Sequence, residues 1–175
     1  MKTSNIKLVA IALFALMTSA QIQAQISKAE IIATGLTCSM CSNAINKQLK
    51  AMTEVDSVGT DLNTNTFTVY FKKDNAVQPK VLKSAVEKAG FFVGSMALTM
   101  PFDNLKVEDN LVVKKGEASF VFIDSKNQVL SAETRVKVLD KGFVTQKEYK
   151  KLMKSYSKYP SYATENEDDY HVKTF

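Results

Sequence analysis

The sequence predicts an α+β protein, a ferredoxin-like βαββαβ sandwich over residues 26–99 followed by a small β-rich domain with one helix over residues 102–175. In the first unit, alternating and helical apolar patterns follow one another as strand, helix, strand, strand, helix, strand. The second unit carries further alternating segments around a single amphipathic helix. Cys38 and Cys41 are the two cysteines of the chain, and both lie where the first strand turns into the first helix.

Residues 1–25 have the pattern of a secretory signal peptide. Lys2 and Lys7 precede an apolar run over residues 8–17, and small and polar residues follow it. This run is far shorter than the roughly 20 residues that span a bilayer, although an uncleaved anchor is the alternative. We therefore expect an exported protein, periplasmic or secreted, without a membrane anchor after cleavage.

The charge of the chain excludes a nucleic-acid partner. Removal of Lys2 and Lys7 from the 23 basic residues leaves 21 against 18 acidic ones, and the two signs are interspersed. A nucleic-acid interface would instead cluster lysine and arginine on one face. The nearest approach is a set of lysines on one helix, for which a solvated face is expected and a polyanion site is the alternative; these are Lys147, Lys150, Lys151, Lys154 and Lys158.

The elements of the first domain can be assigned in order. β-branched residues at 29–33 predict a strand, and Ile45, Leu49 and Met52 share one face of a helix. Alternating residues at 58–62 and 67–71 predict an antiparallel hairpin. A second helix begins at Pro79 and ends at Gly90, and residues 91–98 return as a strand.

The second domain is predicted to follow a short connection at residues 101–104. Strand-like segments lie at residues 105–113, 118–124 and 129–139, and residues 170–175 form a last strand. Thr145 and Glu148 form a capping box that opens a helix to about Ser155, burying Tyr149, Leu152 and Met153. Residues 158–169 are expected to be a loop with exposed tyrosines, Tyr159 and Tyr162, for which packing on their own domain is the alternative. This domain lacks a cluster of soft ligands, so we expect it to fold independently, to bind no metal and to recognise a protein partner or orient the first domain.

Cys38 and Cys41 can bind one soft metal ion together or close into a small disulfide. Their predicted place at a helix N-terminus favours thiolate over thiol, because the free N–H groups carry partial positive charge. Two cysteines cannot make the disulfide framework of a small secreted fold, so the fold must rest on hydrophobic cores.

The segment Gly35-Leu36-Thr37-Cys38-Ser39-Met40-Cys41 resembles the GMTCxxC signature of heavy-metal-associated domains. These occur in soluble copper chaperones, copper-transporting ATPases and periplasmic mercury-binding proteins. The segments at residues 55–62 and 86–91 also resemble the family's hairpin and its helix-ending Ala-Gly-aromatic element. Leu36 replaces the usual methionine, which packs beneath the loop in the family, so an apolar residue of similar volume preserves the site.

The resemblance implies that Cys38 and Cys41 bind Cu(I) near-linearly at an exposed tip. Thiolates also accept Hg(II) and Zn(II), but structural zinc normally needs four protein ligands. His171, in the other domain, is expected to be an exposed strand residue rather than a ligand, and Met40 is expected to point outward. Phe91 would lie over the metal loop and exclude water. The implied protein is not an enzyme but a monomeric metal carrier or chaperone with a metal-donating or metal-accepting protein partner.

Two other functions remain compatible with the cysteine pair. An extracytoplasmic thiol-disulfide oxidoreductase would use Cys38 as nucleophile and Cys41 as resolving cysteine. Thioredoxin-like domains, however, carry an aromatic residue before the first cysteine, where this chain has Thr37. A structural or adaptor protein with a vestigial pair is the third possibility. An oxidising exterior also favours a Cys38–Cys41 disulfide, with which metal loading must compete.

Overall fold

The structure is a computed structural model that describes residues 26–36, 39–164 and 166–175. The predicted signal peptide at residues 1–25 lies outside the described residues, and so does Cys38. Within the described part of the chain, none of the helices has both the length and the apolar character needed to cross a membrane.

The described residues form eight strands, three α-helices and one 3₁₀ helix. The helices are α1 (Ser39–Lys50), α2 (Pro79–Lys88) and α3 (Gln146–Ser155), and the 3₁₀ helix spans Pro160–Ala163. The strands are β1 (Lys28–Thr34), β2 (Val55–Asp61), β3 (Thr66–Phe71), β4 (Phe92–Val107), β5 (Leu111–Lys115), β6 (Ala118–Phe122), β7 (Gln128–Val138) and β8 (Asp169–Thr174).

All eight strands belong to one sheet, in the order β2-β3-β1-β4-β7-β8-β6-β5. Every neighbouring pair is antiparallel except β6 and β8. The first four strands with α1 and α2 have the predicted ferredoxin-like arrangement, and the rest is β-rich with one α-helix. The predicted fold class is therefore confirmed.

Strand β4 joins the two halves of the sheet. Its residues from Phe92 to Thr99 pair with β1, and those from Met96 to Val107 pair with β7. The predicted connection at residues 101–104 is wrong, because Pro101 and the polar residues after it continue the strand. They produce a bulge between Phe102 and Leu105, where Asn104 adopts a φ of 46°. A bulge absorbs such residues without ending the pairing.

The main hydrophobic core also crosses the predicted domain boundary. One cluster of buried residues includes Ile31 and Leu98 from the first half and Phe122 and Val136 from the second. The division into domains at residues 26–99 and 102–175 stays a prediction, and the boundary between them falls inside β4. The shared core opposes independent folding, since either half alone would expose apolar surface that the other covers.

A second core lies between the sheet, helix α3 and the 3₁₀ helix. Thr145 caps α3 as predicted, because its hydroxyl accepts a hydrogen bond from the Glu148 N–H at 3.2 Å. The Glu148 carboxylate pairs with Lys137 instead of completing the capping box. The predicted exposure of Tyr159 and Tyr162 is wrong, since they are 5% and 3% exposed. The partly buried α3 residues that pack against this core are Tyr149, Leu152 and Met153.

We expect Gly94→Ala to destabilise the protein by about 1–3 kcal/mol, because a Cβ would overpack the β1–β4 contact. Gly94 is the extra residue of a bulge opposite Ile32 and Ala33, and an added Cβ would lie 2.5 Å from Thr34 Cγ2. The free energy of unfolding can be measured by urea denaturation. Gly59→Ala is the matched control, since its Cβ would meet no atom closer than 3.9 Å. Equal stability of the two variants would contradict the packing argument.

We expect the protein to lose stability as pH rises from 10 to 12, partly through Tyr170. This residue is 1% exposed and stacks on Phe120, and burial raises the pKa of its phenol to about 12. Above pH 10 the unfolded chain releases this proton while the folded protein retains it, which favours unfolding by up to about 2–3 kcal/mol. Urea midpoints at pH 8 and 11.5 should show a smaller decline in Tyr170→Phe than in wild type. The exposed control Tyr70→Phe should decline as wild type does.

Candidate metal site

The candidate site begins where β1 ends at Thr34. Gly35 follows with a φ of 87°, a left-handed conformation that glycine adopts without steric cost. A Cβ at Gly35 would lie 3.8 Å from a ring carbon of Phe91, so the aromatic ring packs on this part of the loop. The chain then enters α1 at Ser39. The predicted order of strand, glycine-containing loop and helix is therefore found.

Cys41 lies in the first turn of α1 and is half-buried. This turn contains no acidic residue, whereas Lys47 and Lys50 occupy the last turn. The unsatisfied N–H groups of the first turn carry partial positive charge, which stabilises a thiolate. The convergence of Cys41 with Cys38 stays a prediction, since Cys38 lies outside the described residues.

Helix α1 is fixed to the sheet by its apolar face. Ile45 and Leu49 are fully buried, as their spacing predicted, and Ser42 is nearly so. Asn46 adds a hydrogen bond from its side-chain amide to the Thr60 hydroxyl of β2, at 2.7 Å. The helix that carries Cys41 is thus fixed both by its buried apolar face and by a hydrogen bond to β2.

Two apolar side chains near the loop pack inward against the main core. Leu36 and Phe91 are partly buried and pack against the main core, in agreement with the expectation that Leu36 replaces a methionine beneath the loop. Met40 is 81% exposed and points outward, as predicted. The described residues beside Cys41 thus include apolar side chains that face the core and one, Met40, that faces solvent.

His171 takes no part in this site, and its predicted exposure is wrong. It is 2% exposed in β8, which β4 and β7 separate from β1 in the sheet. Its ring nitrogens contact Asp140 and Ser161. Within residues 26–36, 39–164 and 166–175, no three His, Cys, Asp or Glu side chains are grouped closely enough to hold a metal.

A groove beside the end of β1 was not predicted from the sequence. It encloses about 1120 Å³ and extends from Thr34 and Phe92 to helix α3. Phe92 is 69% exposed there, and Met153 contributes to the opposite wall. The cationic residues that line it are Lys141, Lys150, Lys151 and Lys154. No sequence pattern predicts this groove, because residues that line it, such as Phe92 and Met153, are far apart in the chain.

Comparison with known families gives a match to part of the chain. Residues 30–92 match the model of the heavy-metal-associated domain. This segment contains both cysteines, the loop that carries them, α1, α2 and the strands β2 and β3. The comparison with curated proteins gives no match.

Solved structures of copper proteins resemble the same part of the chain. The yeast copper transporter domain Ccc2a, solved in the apo and Cu(I)-loaded states, is 34% identical over 37% of this chain and 88% of its own, with a TM-score of 0.34. The Atx1–Cu(I)–Ccc2a complex gives 33% identity over 38% and 90%, with a TM-score of 0.35. The CopZ metallochaperone gives 25% identity over 38% and 98%, with a TM-score of 0.36.

We expect Gly35→Ala to lower both the stability of the protein and its affinity for Cu(I). A side chain at this positive φ costs about 1–3 kcal/mol, and relief of the strain would displace the loop that leads to Cys38. Gly116→Ala is the matched control, because Gly116 also has a positive φ, of 61°, but lies between β5 and β6. Both variants should lose stability in urea, and only Gly35→Ala should lose affinity in a chelator competition. Equal affinity of the two would show that the loop conformation does not govern binding.

Proposed function

We propose that this protein is an exported Cu(I) carrier or chaperone, because residues 30–92 match the model of the heavy-metal-associated domain. Cys38 and Cys41 are its two metal ligands, and the ion is cargo that the protein receives and hands on. The observation that carries the proposal is the CxxC spacing of Cys38 and Cys41 within the matched segment, with Cys41 in the first turn of α1.

The chemistry of the donor set supports a soft monovalent ion. Thiolates prefer Cu(I), Hg(II) and Zn(II) to hard cations, and Zn(II) in structural sites normally takes four protein ligands. The described residues offer no cluster that could complete such a set. Two-coordinate binding fits Cu(I) and leaves the ion open to attack by a third thiolate, so transfer can proceed by ligand exchange.

The outward face of the loop supports transfer to a protein partner. Met40 projects into solvent beside Cys41, whereas Leu36 and Phe91 pack against the main core. A partner that donates or accepts Cu(I) can therefore approach the ion without unfolding the carrier. Residues 1–25 act as the export signal in this proposal, and the periplasm is the compartment that best confines carrier and partner together.

A Cu(I) titration of the reduced protein tests the two-thiolate site. The mature protein should bind one Cu(I) per chain in anaerobic competition with a Cu(I)-specific chelator. Cys38→Ser and Cys41→Ser should each lower the affinity by on the order of 100-fold or more, since loss of a ligand costs more than loss of an outer-shell partner. Met40→Leu is the matched control, since Met40 lies between the two cysteines in the sequence, and it should bind as wild type does.

Retention of copper by either cysteine variant would reject the proposed site. Weak copper binding together with rapid turnover of disulfide substrates would assign the pair to thiol-disulfide exchange instead. The same titration with Hg(II) and Zn(II) would establish whether the pair prefers Cu(I), because two exposed thiolates discriminate poorly among soft cations.

A further inference from the structure

Three side chains in the second half of the chain form a continuous hydrogen-bonded relay. The Asp140 carboxylate lies 2.7 Å from Nδ1 of His171, and Nε2 of the same ring lies 3.0 Å from Oγ of Ser161. The three residues come from three elements, namely the segment after β7, strand β8 and the 3₁₀ helix. None of them belongs to the segment that carries the cysteines.

The partners of His171 determine which nitrogen carries its proton. A carboxylate only accepts hydrogen bonds. Nδ1 therefore carries the proton and donates a hydrogen bond to Asp140. In the neutral ring Nε2 is then an acceptor, and the Ser161 hydroxyl must donate to it. This is the tautomer in which an imidazole can remove a proton from a serine.

Asp140 is held firmly in its orienting position. Its second carboxylate oxygen accepts the backbone N–H of His171 at 2.6 Å, so both oxygens are directed to the same residue. The Leu139 N–H donates to the His171 carbonyl at 2.9 Å, which fixes the neighbouring backbone. Carboxylate and ring therefore cannot rotate independently of each other.

Ser161 is placed by a buried neighbour but remains accessible. Tyr162 is 3% exposed, its hydroxyl donates to the Leu139 carbonyl at 2.6 Å, and its ring meets the His171 ring edge-on at 5.1 Å. Ser161 itself is exposed, whereas His171 is 2% exposed. The arrangement thus combines a buried base with a surface hydroxyl.

We propose that Ser161 is a nucleophile toward carboxylic esters and related activated phosphonyl groups, with His171 as its general base and Asp140 as the positioning residue. Ser161 Oγ forms a bond to the carbonyl carbon while its proton moves to His171 Nε2. The bond to the leaving oxygen breaks, and that oxygen takes the proton and departs as an alcohol. Water then attacks the acyl carbon, its proton passes through Nε2 to Ser161 Oγ, and a carboxylic acid is released. This activity is independent of metal binding.

Covalent labelling of the full chain with a fluorophosphonate tests the nucleophile. The Ser161 oxygen bonds to phosphorus, fluoride leaves, and the serine proton is taken up by His171. Intact mass and peptide mapping should show one adduct per chain at Ser161. Ser161→Ala should abolish it, and Ser157→Ala, at an exposed serine in the same segment, should label at the wild-type rate.

Variants of the relay separate a reactive serine from one that only packs. His171→Gln and Asp140→Asn should slow the labelling by about 10²–10⁴-fold if they fold, as judged by circular dichroism. Ser161→Ala replaces an exposed side chain, so its result is decisive even if the buried variants fail to fold. Absence of an adduct on folded wild type, an adduct at another residue, or undiminished labelling of folded His171→Gln would each overturn the proposal.

Discussion

The architecture depends on the hydrogen bonding of β4 along both of its edges. Residues 96–99 pair with β1 on one side and with β7 on the other, so a short central segment is shared by both halves of the sheet. Pairing on both edges satisfies the backbone groups there, and Met96 and Leu98 belong to the main core. A ferredoxin-like unit thereby gains four more strands without a linker, and its former edge becomes the middle of a larger sheet.

This extension places helix α3 near the loop that joins β1 to α1. Gly94 permits close approach of β1 and β4, and the N-cap residue Thr145 of α3 lies against the same point. The groove is therefore lined by Thr34 and Phe92 from the first half of the chain and by helix α3 with the residues before it from the second. Strands β1 and β4 therefore connect the loop before α1 to the groove.

Local patterns predicted most elements, whereas long-range contacts decided the rest. The spacing of Ile45 and Leu49, and the bracketing of α2 by Pro79 and Gly90, needed only neighbouring residues. Pro101 predicts the end of a strand, but β4 continues past it because it pairs with β7, some 30 residues away in the sequence. The burial of His171 likewise depends on Asp140, which no periodicity connects to it. For the site, the cysteine spacing predicts two ligands, Cys38 and Cys41, and this stays a prediction, while no sequence signal indicated the groove.

The position of β8 has a consequence for how the chain reaches its native state. This strand follows all the others in sequence but lies between β7 and β6, and its pairing with β6 is parallel. Until it inserts, β7 and β6 each present an open edge with unpaired N–H and C=O groups. Such non-local pairing is slow to form, so the unfinished sheet is open to wrong strand exchange between chains. Delivery of an unfolded chain across a membrane would postpone this vulnerable stage to the destination compartment, where folding factors rather than translation would govern the yield.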